Sequence, residues 1–250
     1  MNRPDHSQVV DVSRKDAASS IVLVCEHASA HIPAELNNLG LTDPARFSHV
    51  AWDPGALGVA QAMSEALDAV LVAGCVSRLV YDLNRPPEAS DAMPTRSETF
   101  DVPGNADLTE AQRKDRIGRY YTPFHAAIAR QIASKPAPVL VTIHSFTPIY
   151  FGTPRDVEIG ILHDTDSRLA DAILATADSG IVRRNEPYGP QDGVTHSLLK
   201  HGVSGGHLNV MIEVRNDLIQ TEAEQAAMAT TLSRWITTAL SEAGTARCTG

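Results

Sequence analysis

The sequence has few cysteines, few aromatic residues and no excess of positive charge, and each shortage argues against a class of protein. Its 250 residues include three cysteines, none in a C-x-x-C pair, which argues against a disulfide scaffold and favours a reducing compartment. Aromatic residues make up 5% of the chain and the formal net charge is −9, so the basic, stacking-rich surface that nucleic-acid binding needs is missing. We therefore expect no nucleic-acid partner.

Long apolar runs and several common motifs are missing as well. Nowhere do about 18 apolar residues follow one another, so we expect no membrane-spanning helix. The opening segment is polar and lacks the apolar core of a signal peptide, and we expect a cytoplasmic protein. The sequence also lacks G-x-x-x-x-G-K-[ST], G-x-G-x-x-G after a strand, and G-x-S-x-G, which argues against nucleotide binding and serine-hydrolase chemistry.

What the sequence does contain is an alternation of apolar strands and amphipathic helices. The predicted strands are 21–25, 70–72, 139–143, 158–162 and 208–214, and predicted helices begin near residues 53, 109, 164 and 221. Alternating strands and helices predict an α/β protein with a mixed, mainly parallel sheet flanked by helices. Because no composition break or repeat divides the chain, we predict one domain over 19–245, preceded by a mobile segment over 1–18.

A loop from about residue 88 to residue 108 shows neither helical nor strand periodicity. It is rich in proline, serine, aspartate and threonine. Loops of this length are usually functional or disordered, and this one is well placed to act as a lid over a substrate.

Three polar clusters lie at the carboxyl ends of predicted strands or inside the last one. They are Glu26-His27, His144-Ser145, and Glu213 with Arg215. Open α/β sheets hold their ligands at this edge. Two histidines from two strands and a carboxylate would make a catalytic zinc site with one coordination position left for water.

Each candidate also has a structural interpretation. The Glu213 carboxylate interrupts an apolar strand, and burying a charge there is costly unless it is paired, bound to a metal or needed as a base. Arg215 projects from the same face of the strand and could supply the ion pair. Asp53 could be the N-cap of the helix that follows it or a zinc ligand.

Of the ten histidines, we interpret five as surface or capping residues and leave three undecided. The five are His6, His49, His125, His163 and His201, and the three are His31, His196 and His207.

Arginines near a pocket could bind a substrate carboxylate. Arg78, Asn84 and Arg85 lie within nine residues of one another, and a guanidinium grips a carboxylate through two parallel hydrogen bonds. The alternative is that both arginines form salt bridges with surface aspartate or glutamate.

Together these segments resemble the N-formylglutamate amidohydrolase family, which is distantly similar to zinc carboxypeptidases and aspartoacylases. The resemblance covers most of the chain and rests on short motifs in a specific order. They are C-E-H-A-S from residue 25, A-W-D-x-G-A from 51, S-R-L-V-x-D-L-N-R-P-P from 77, I-H-S-F-T-P from 143, N-E-P-Y from 185, D-G-V from 192 and M-I-E-V-R-N-D-L from 211. The resemblance implies a carboxypeptidase-like (phosphorylase/hydrolase-like) fold.

The resemblance also implies an activity, namely hydrolysis of the amide of an N-acyl amino acid. N-formyl-L-glutamate, cleaved to formate and L-glutamate in amino-acid catabolism such as histidine degradation, is the first choice. Another N-acyl amino acid or a small peptide is the alternative within the same chemistry. A non-catalytic carboxylate-binding protein that has lost the metal is the alternative from a different class. The oligomeric state stays open.

The implied site holds one zinc ion per chain. His27, Asp53 and His144 are its ligands, with Glu26 as the alternative to Asp53, because Ala30 stands where the carboxypeptidases have the glutamate of their His-x-x-Glu pair. Glu213 takes the proton of the attacking water. The implied substrate contacts are Asn84 and Arg85 to the α-carboxylate, and Arg78 or Arg215 to a second acidic group.

Overall fold

A seven-stranded sheet organises the part of the chain that the computed structural model describes, residues 9–247, with side chains described as far as residue 242. The strands are β1 (Val10–Ser13), β2 (Ile21–Cys25), β3 (Val70–Gly74), β4 (Arg96–Ser97), β5 (Phe100–Asp101), β6 (Val139–Phe146), β7 (Ile149–Tyr150), β8 (Thr153–Pro154), β9 (Ile159–Leu162), β10 (Val182–Arg184) and β11 (Leu208–Arg215). The helices are α1 (Asp43–Phe47), α2 (Ala56–Ala66), α3 (Glu110–Arg116), α4 (Thr122–Ala133), α5 (Arg168–Thr176) and α6 (Glu222–Arg247).

The sheet is mixed and mostly parallel, as the sequence predicts. Its strand order is β1-β3-β2-β6-β11-β9-β10. The central strands β3, β2, β6 and β11 run parallel to one another, β1 pairs antiparallel with β3, and β9 pairs antiparallel with β11. The short pairs β4–β5 and β7–β8 form separate two-stranded hairpins. The carboxyl ends of the central strands therefore meet at one edge, where polar residues can converge.

Apolar side chains cover both faces of the sheet. Helices α2, α5 and α6 pack on one face, where Met63 and Trp235 are fully buried. Helix α4 packs on the other, with Phe124 fully buried. Burying each such side chain stabilises the fold by roughly 1.5–3 kcal/mol, which explains why the continuous apolar runs become the central strands.

The predicted mobile segment over 1–18 includes β1, which pairs with β3 at the edge of the sheet, and its mobility stays a prediction; residues 1–8 lie outside the described part. One prediction about local structure needs correction. Asp53 is not an N-cap, because α2 begins at Ala56 after Gly55 and the Asp53 carboxylate points to other partners. The capping boxes at Thr109 and Thr221 are confirmed.

The segment 88–108 has more structure than its sequence predicts. It contains the β4–β5 hairpin and two 3₁₀ turns. Asn105 is buried and donates hydrogen bonds to the carbonyls of Leu79 and Pro94, while its own side-chain oxygen accepts one from Arg116. These side-chain hydrogen bonds hold the segment in place although its sequence has no helical or strand periodicity. Its role as a lid stays a prediction.

Within residues 9–247, none of the helices combines the length and the apolarity needed to cross a bilayer. Cys25 and Cys75 are both buried, and Cys248 lies outside the described residues.

Candidate metal centre and active site

A cavity of about 550 Å³ opens where the central strands end. Its wall includes His27, which follows β2, His144 near the end of β6, and Glu213 in β11. Residues of the segments 78–85, 88–108 and 187–194 and residues around the β7–β8 hairpin also line it. The cavity therefore occupies the place at which open α/β sheets bind ligands.

His27, Asp53 and His144 form a buried group inside this cavity. One possible ligand atom from each lies within 4.8 Å of the other two. Oδ2 of Asp53 is 2.9 Å from Nδ1 of His144 and 3.4 Å from Nδ1 of His27. The backbone holds Asp53 there, because its N–H donates to the carbonyl of His27. Two imidazole nitrogens and a carboxylate oxygen could hold one metal ion.

The second nitrogen of each ring meets another buried carboxylate. Nε2 of His27 lies 2.7 Å from Oδ1 of Asp82, and Nε2 of His144 lies 3.0 Å from Oε2 of Glu26. Carboxylates behind metal-binding histidines fix the orientation of the ring. The geometry thus brings Asp53, and not the alternative Glu26, together with both histidines, and it adds Asp82. Sequence reasoning missed Asp82, although the D-L-N-R motif contains it.

Opposite charges perturb the pKa values of this group in a consistent direction. Burial and Arg78 would both lower the pKa of His27, but Asp82 and Asp53 outweigh them and raise it. Burial would raise the pKa of Asp82, yet His27 and Arg78 hold it well below its usual value. The pKa of His144 is raised well above its usual value by Glu26 and Asp53, against the effect of burial. The site thus keeps several carboxylates ionised away from water and is suited to a cation.

Glu213 lies beside this group but outside its hydrogen bonds. It is buried, and its Oε2 has no hydrogen-bond partner among the described residues. Burial is the main cause that raises its pKa to about 7, with Asp53 adding to the effect and His144 opposing it. A carboxyl group with such a pKa can take up and release a proton near neutral pH.

The alternative interpretation of Glu213, an ion pair with Arg215, is wrong. Nε of Arg215 lies 2.8 Å from Oδ1 of Asp217, and its Nη1 donates to the carbonyls of residues 155–157. Arg215 is not among the residues that line the cavity, because these contacts hold its side chain elsewhere. Of the predicted substrate-binding residues, it is the one that the structure does not bring to the site.

The other three predicted substrate-binding residues line the cavity. Arg78 lies 2.9 Å from Asp82 and 3.4 Å from Asp53, so its charge is already compensated. The Asn84 carboxamide donates to the carbonyl of Val194 and accepts from the N–H of Ser197, which ties the D-L-N-R segment to the loop around residue 195. Nε of Arg85 lies 3.0 Å from Oδ2 of Asp91, and its Nη1 donates to the carbonyl of Asp192 at 2.9 Å.

Two of the histidines interpreted from the sequence as surface or capping residues, His125 and His201, are buried beneath this segment. Nδ1 of His125 lies 2.8 Å from Nε2 of His201, and Nε2 of His125 lies 2.9 Å from the carbonyl of Leu83. Burial is the main cause that lowers the pKa of His125 to about 3 and that of His201 to about 4. Both rings are therefore neutral, and His125 supports the D-L-N-R backbone with His201 behind it. The interpretation as surface or capping residues is wrong for both.

Sequence reasoning also missed Arg155. Its side chain lines the cavity, and its Cζ lies 4.3 Å from the ring centroid of Tyr150 and 4.8 Å from that of Tyr188. Burial is the main cause that raises the pKa of Tyr188 to about 12, so its hydroxyl stays protonated. The cavity thus contains a cationic, aromatic region in addition to the candidate metal centre.

Comparison with known proteins gives a consistent result. The sequence model of the N-formylglutamate amidohydrolase family matches residues 19–220. The solved structure of gene product Atu2144 from Agrobacterium tumefaciens is 54% identical, with a TM-score of 0.94 over 96% of this chain and 97% of that chain. The N-formylglutamate amidohydrolase from Ralstonia eutropha JMP134 shares the fold at 19% identity, with a TM-score of 0.63 over 91% of this chain and 95% of that chain. No curated protein matches the sequence significantly.

Proposed function

The chain belongs to the N-formylglutamate amidohydrolase family, and from that premise we propose that it is a zinc-dependent enzyme that cleaves N-formyl-L-glutamate to formate and L-glutamate. The observation that carries the proposal is the buried group His27, Asp53 and His144 with Glu213 beside it. The proposal includes one zinc ion per chain and a cytoplasmic location. The more distant likeness to zinc carboxypeptidases stays a prediction.

The residues present fit a zinc ion. Histidine nitrogen and carboxylate oxygen are donors that zinc prefers, and three protein ligands are typical of its catalytic sites. Asp82 and Glu26 lie behind the two rings, as carboxylates do in many histidine-bound metal sites. With both rings neutral, as metal binding requires, the three buried carboxylates of Glu26, Asp53 and Asp82 face the guanidinium of Arg78, so a divalent cation would offset the remaining negative charge.

In the proposed reaction, water adds to the formyl carbon and the carbon–nitrogen bond breaks. A zinc ion held by His27, Asp53 and His144 would act as a Lewis acid: it would lower the pKa of a water to about 7 and stabilise negative charge on the carbonyl oxygen. Glu213 accepts a proton from the attacking water at its unpartnered Oε2 and passes it to the leaving nitrogen. Its pKa of about 7 suits both transfers.

Arg85 and Asn84 are proposed to act on the α-carboxylate of the substrate. Arg85 carries the charge, and Asn84 holds the segment against the loop around residue 195. Arg78 is proposed to keep Asp53 and Asp82 ionised and in place. Arg215 has no part in the proposal.

Formate release and metal content together test this function. The purified protein is assayed for zinc by elemental analysis and for formate release from N-formyl-L-glutamate, N-formyl-L-methionine and N-formylglycine. We expect one zinc per chain, with activity that a chelator removes and added zinc restores. Zinc without formate release would overturn the substrate assignment. If added zinc did not bind, the metal-dependent reaction would be wrong and the carboxylate-binding interpretation would be favoured.

A further inference from the structure

Arg155 presents a positive charge to the cavity from between two aromatic rings. The ring centroids of Tyr150 and Tyr188 lie 4.3 and 4.8 Å from its Cζ, and that of Phe146 lies 5.6 Å away. Its Nη1 donates to the carbonyl of Thr147 at 3.3 Å. Stacking against aromatic faces restricts the plane of a guanidinium while its edge stays able to donate hydrogen bonds. The side chain is thus oriented before any ligand arrives.

Arg155 differs from the other arginines of the cavity in its electrostatic partners. Each of the other three forms an ion pair with an aspartate: Arg78 with Asp82 at 2.9 Å, Arg85 with Asp91 at 3.0 Å and Arg96 with Asp101 at 3.2 Å. In the part of the chain whose side chains are described, no carboxylate oxygen lies within ion-pair distance of the Arg155 guanidinium. A half-buried cation in a cavity, without an anionic partner, is suited to an anion that the ligand brings.

The position of Arg155 relates it to the reacting group. Phe146 follows His144 by two residues on β6, so both side chains lie on the same face of the strand, about 6.6 Å apart along it. The Arg155 guanidinium lies against the Phe146 ring. A substrate whose reacting carbonyl lies near His144 could therefore extend a side chain of a few bonds toward Arg155.

We propose that Arg155 binds the side-chain carboxylate of the substrate, so that the site selects N-acyl derivatives of dicarboxylic amino acids over those of neutral ones. The reaction in this inference rests on the proposed function, whereas the binding preference can be measured without turnover. Arg85 binds the α-carboxylate from a different segment of the lining, so the two carboxylates have separate cations. A neutral amide of the same size lacks the charge that Arg155 would pair with.

The kinetic test compares N-formyl-L-glutamate with N-formyl-L-glutamine, which has the same shape and no side-chain charge. In Arg155→Gln, we expect the ratio of the two kcat/KM values to fall about 100-fold, chiefly through a higher KM for the glutamate substrate. Arg155→Lys keeps the charge and should retain part of the ratio. An equal loss on both substrates in Arg155→Gln would overturn the proposal, because it would assign Arg155 a structural role.

The matched control is Arg119→Gln. Arg119 stacks on Tyr120 with its Cζ 5.3 Å from the ring centroid, it forms an ion pair with Glu35, and it does not line the cavity. The control therefore removes the same charge and the same kind of stacking at a remote place. It should keep the substrate ratio of the wild type.

Calorimetric binding of L-glutamate and L-glutamine separates this inference from the proposed function. If the wild type prefers L-glutamate and Arg155→Gln loses that preference, the assignment of Arg155 holds even if neither formyl substrate is cleaved. Equal affinities for the two amino acids in the wild type would overturn it, whatever the turnover. Should Arg155→Gln fail to fold, Tyr188→Leu in the same binding assay is expected to weaken the preference by releasing the guanidinium.

Discussion

Glu213 and His144 are register partners on the neighbouring parallel strands β11 and β6. Register partners in a sheet direct their side chains to the same face, so the backbone ladder holds the proposed base next to a proposed metal ligand. Both strands are buried along nearly their whole length. The relation between the two side chains therefore depends on two buried, paired strands and not on a loop.

The Glu213→Gln variant should separate proton transfer from metal binding. We expect kcat for formate release to fall about 10²- to 10⁴-fold, because the amide cannot accept the proton. Zinc content should stay at the wild-type level, since Glu213 lies outside the His27, Asp53 and His144 group. Elemental analysis of the same sample checks this. Full activity would assign the base to another residue, and loss of zinc would make Glu213 a ligand.

His144→Ala should lower zinc content sharply, because it removes one of three ligands. Its matched control is His163→Ala, since His163 contacts the carbonyl of Asp164 and does not line the cavity. Elemental analysis after dialysis measures both variants. Equal zinc in His144→Ala and the wild type would refute the proposed centre.

The carboxylates behind the histidines should matter less than the ligands themselves. Asp82→Asn and Glu26→Gln are each expected to weaken zinc binding about 10- to 100-fold, because supporting carboxylates orient and polarise the rings. Competition with a fluorescent chelator measures the affinity. If Glu26→Gln lost as much affinity as His144→Ala while Asp53→Asn lost little, Glu26 would replace Asp53 as the third ligand.

The sequence predicts His27, His144 and Glu213 because each is attached to a continuous apolar run. An apolar run identifies a buried strand, and the strand places its polar neighbour at the ligand-binding edge. Asp82 and Arg155 carry no such signal. Arg155 lies in an irregular segment, and its partners Tyr150 and Tyr188 come together only in the folded chain.

Burial also explains which strands the sequence predicts and which it does not. The runs in β2, β6 and β11 are apolar because those strands are buried. Strand β1 is half-buried at an edge, so its V-D-V-S sequence lacks a continuous apolar run. The direction of β9 relative to β11 follows from the path of the connecting chain, which periodicity does not describe.

Acid should destabilise the fold through three histidines. His125, His196 and His201 have pKa values lowered to about 3, 4 and 4, mainly by burial, against about 6.5 when unfolded. Between pH 6.5 and 4 the unfolded chain therefore binds more protons at these sites, and stability falls as the pH falls. Each histidine can add up to about 1.4 kcal/mol per pH unit to this slope.

Urea unfolding of the metal-free protein at several pH values measures this dependence. His201→Gln cannot titrate in that range and should give a shallower loss of stability than the wild type. Identical slopes for His201→Gln and the wild type would show that the pair of His125 and His201 does not exclude protons.

Gly55 should be required both for the fold and for the position of Asp53. Its φ is +82°, and an added Cβ would lie 2.4 Å from the carbonyl oxygen of Ile219. Gly55→Ala therefore combines left-handed strain with a backbone clash, and we expect a loss of about 2–4 kcal/mol in unfolding free energy.

Gly152→Ala separates the two causes. Gly152 has a similar φ of +78°, but a Cβ added there would meet nothing within 4 Å, so its substitution should cost only the strain, about 1 kcal/mol. Urea unfolding compares the two variants. Because Asp53 lies two residues before Gly55, Gly55→Ala should also weaken zinc binding, whereas Gly152→Ala should not. Equal losses of stability would mean that the chain around Ile219 moves aside, and Gly55 would then not be needed to position Asp53, whose hydrogen bonds include those with His27, His144 and Ser145.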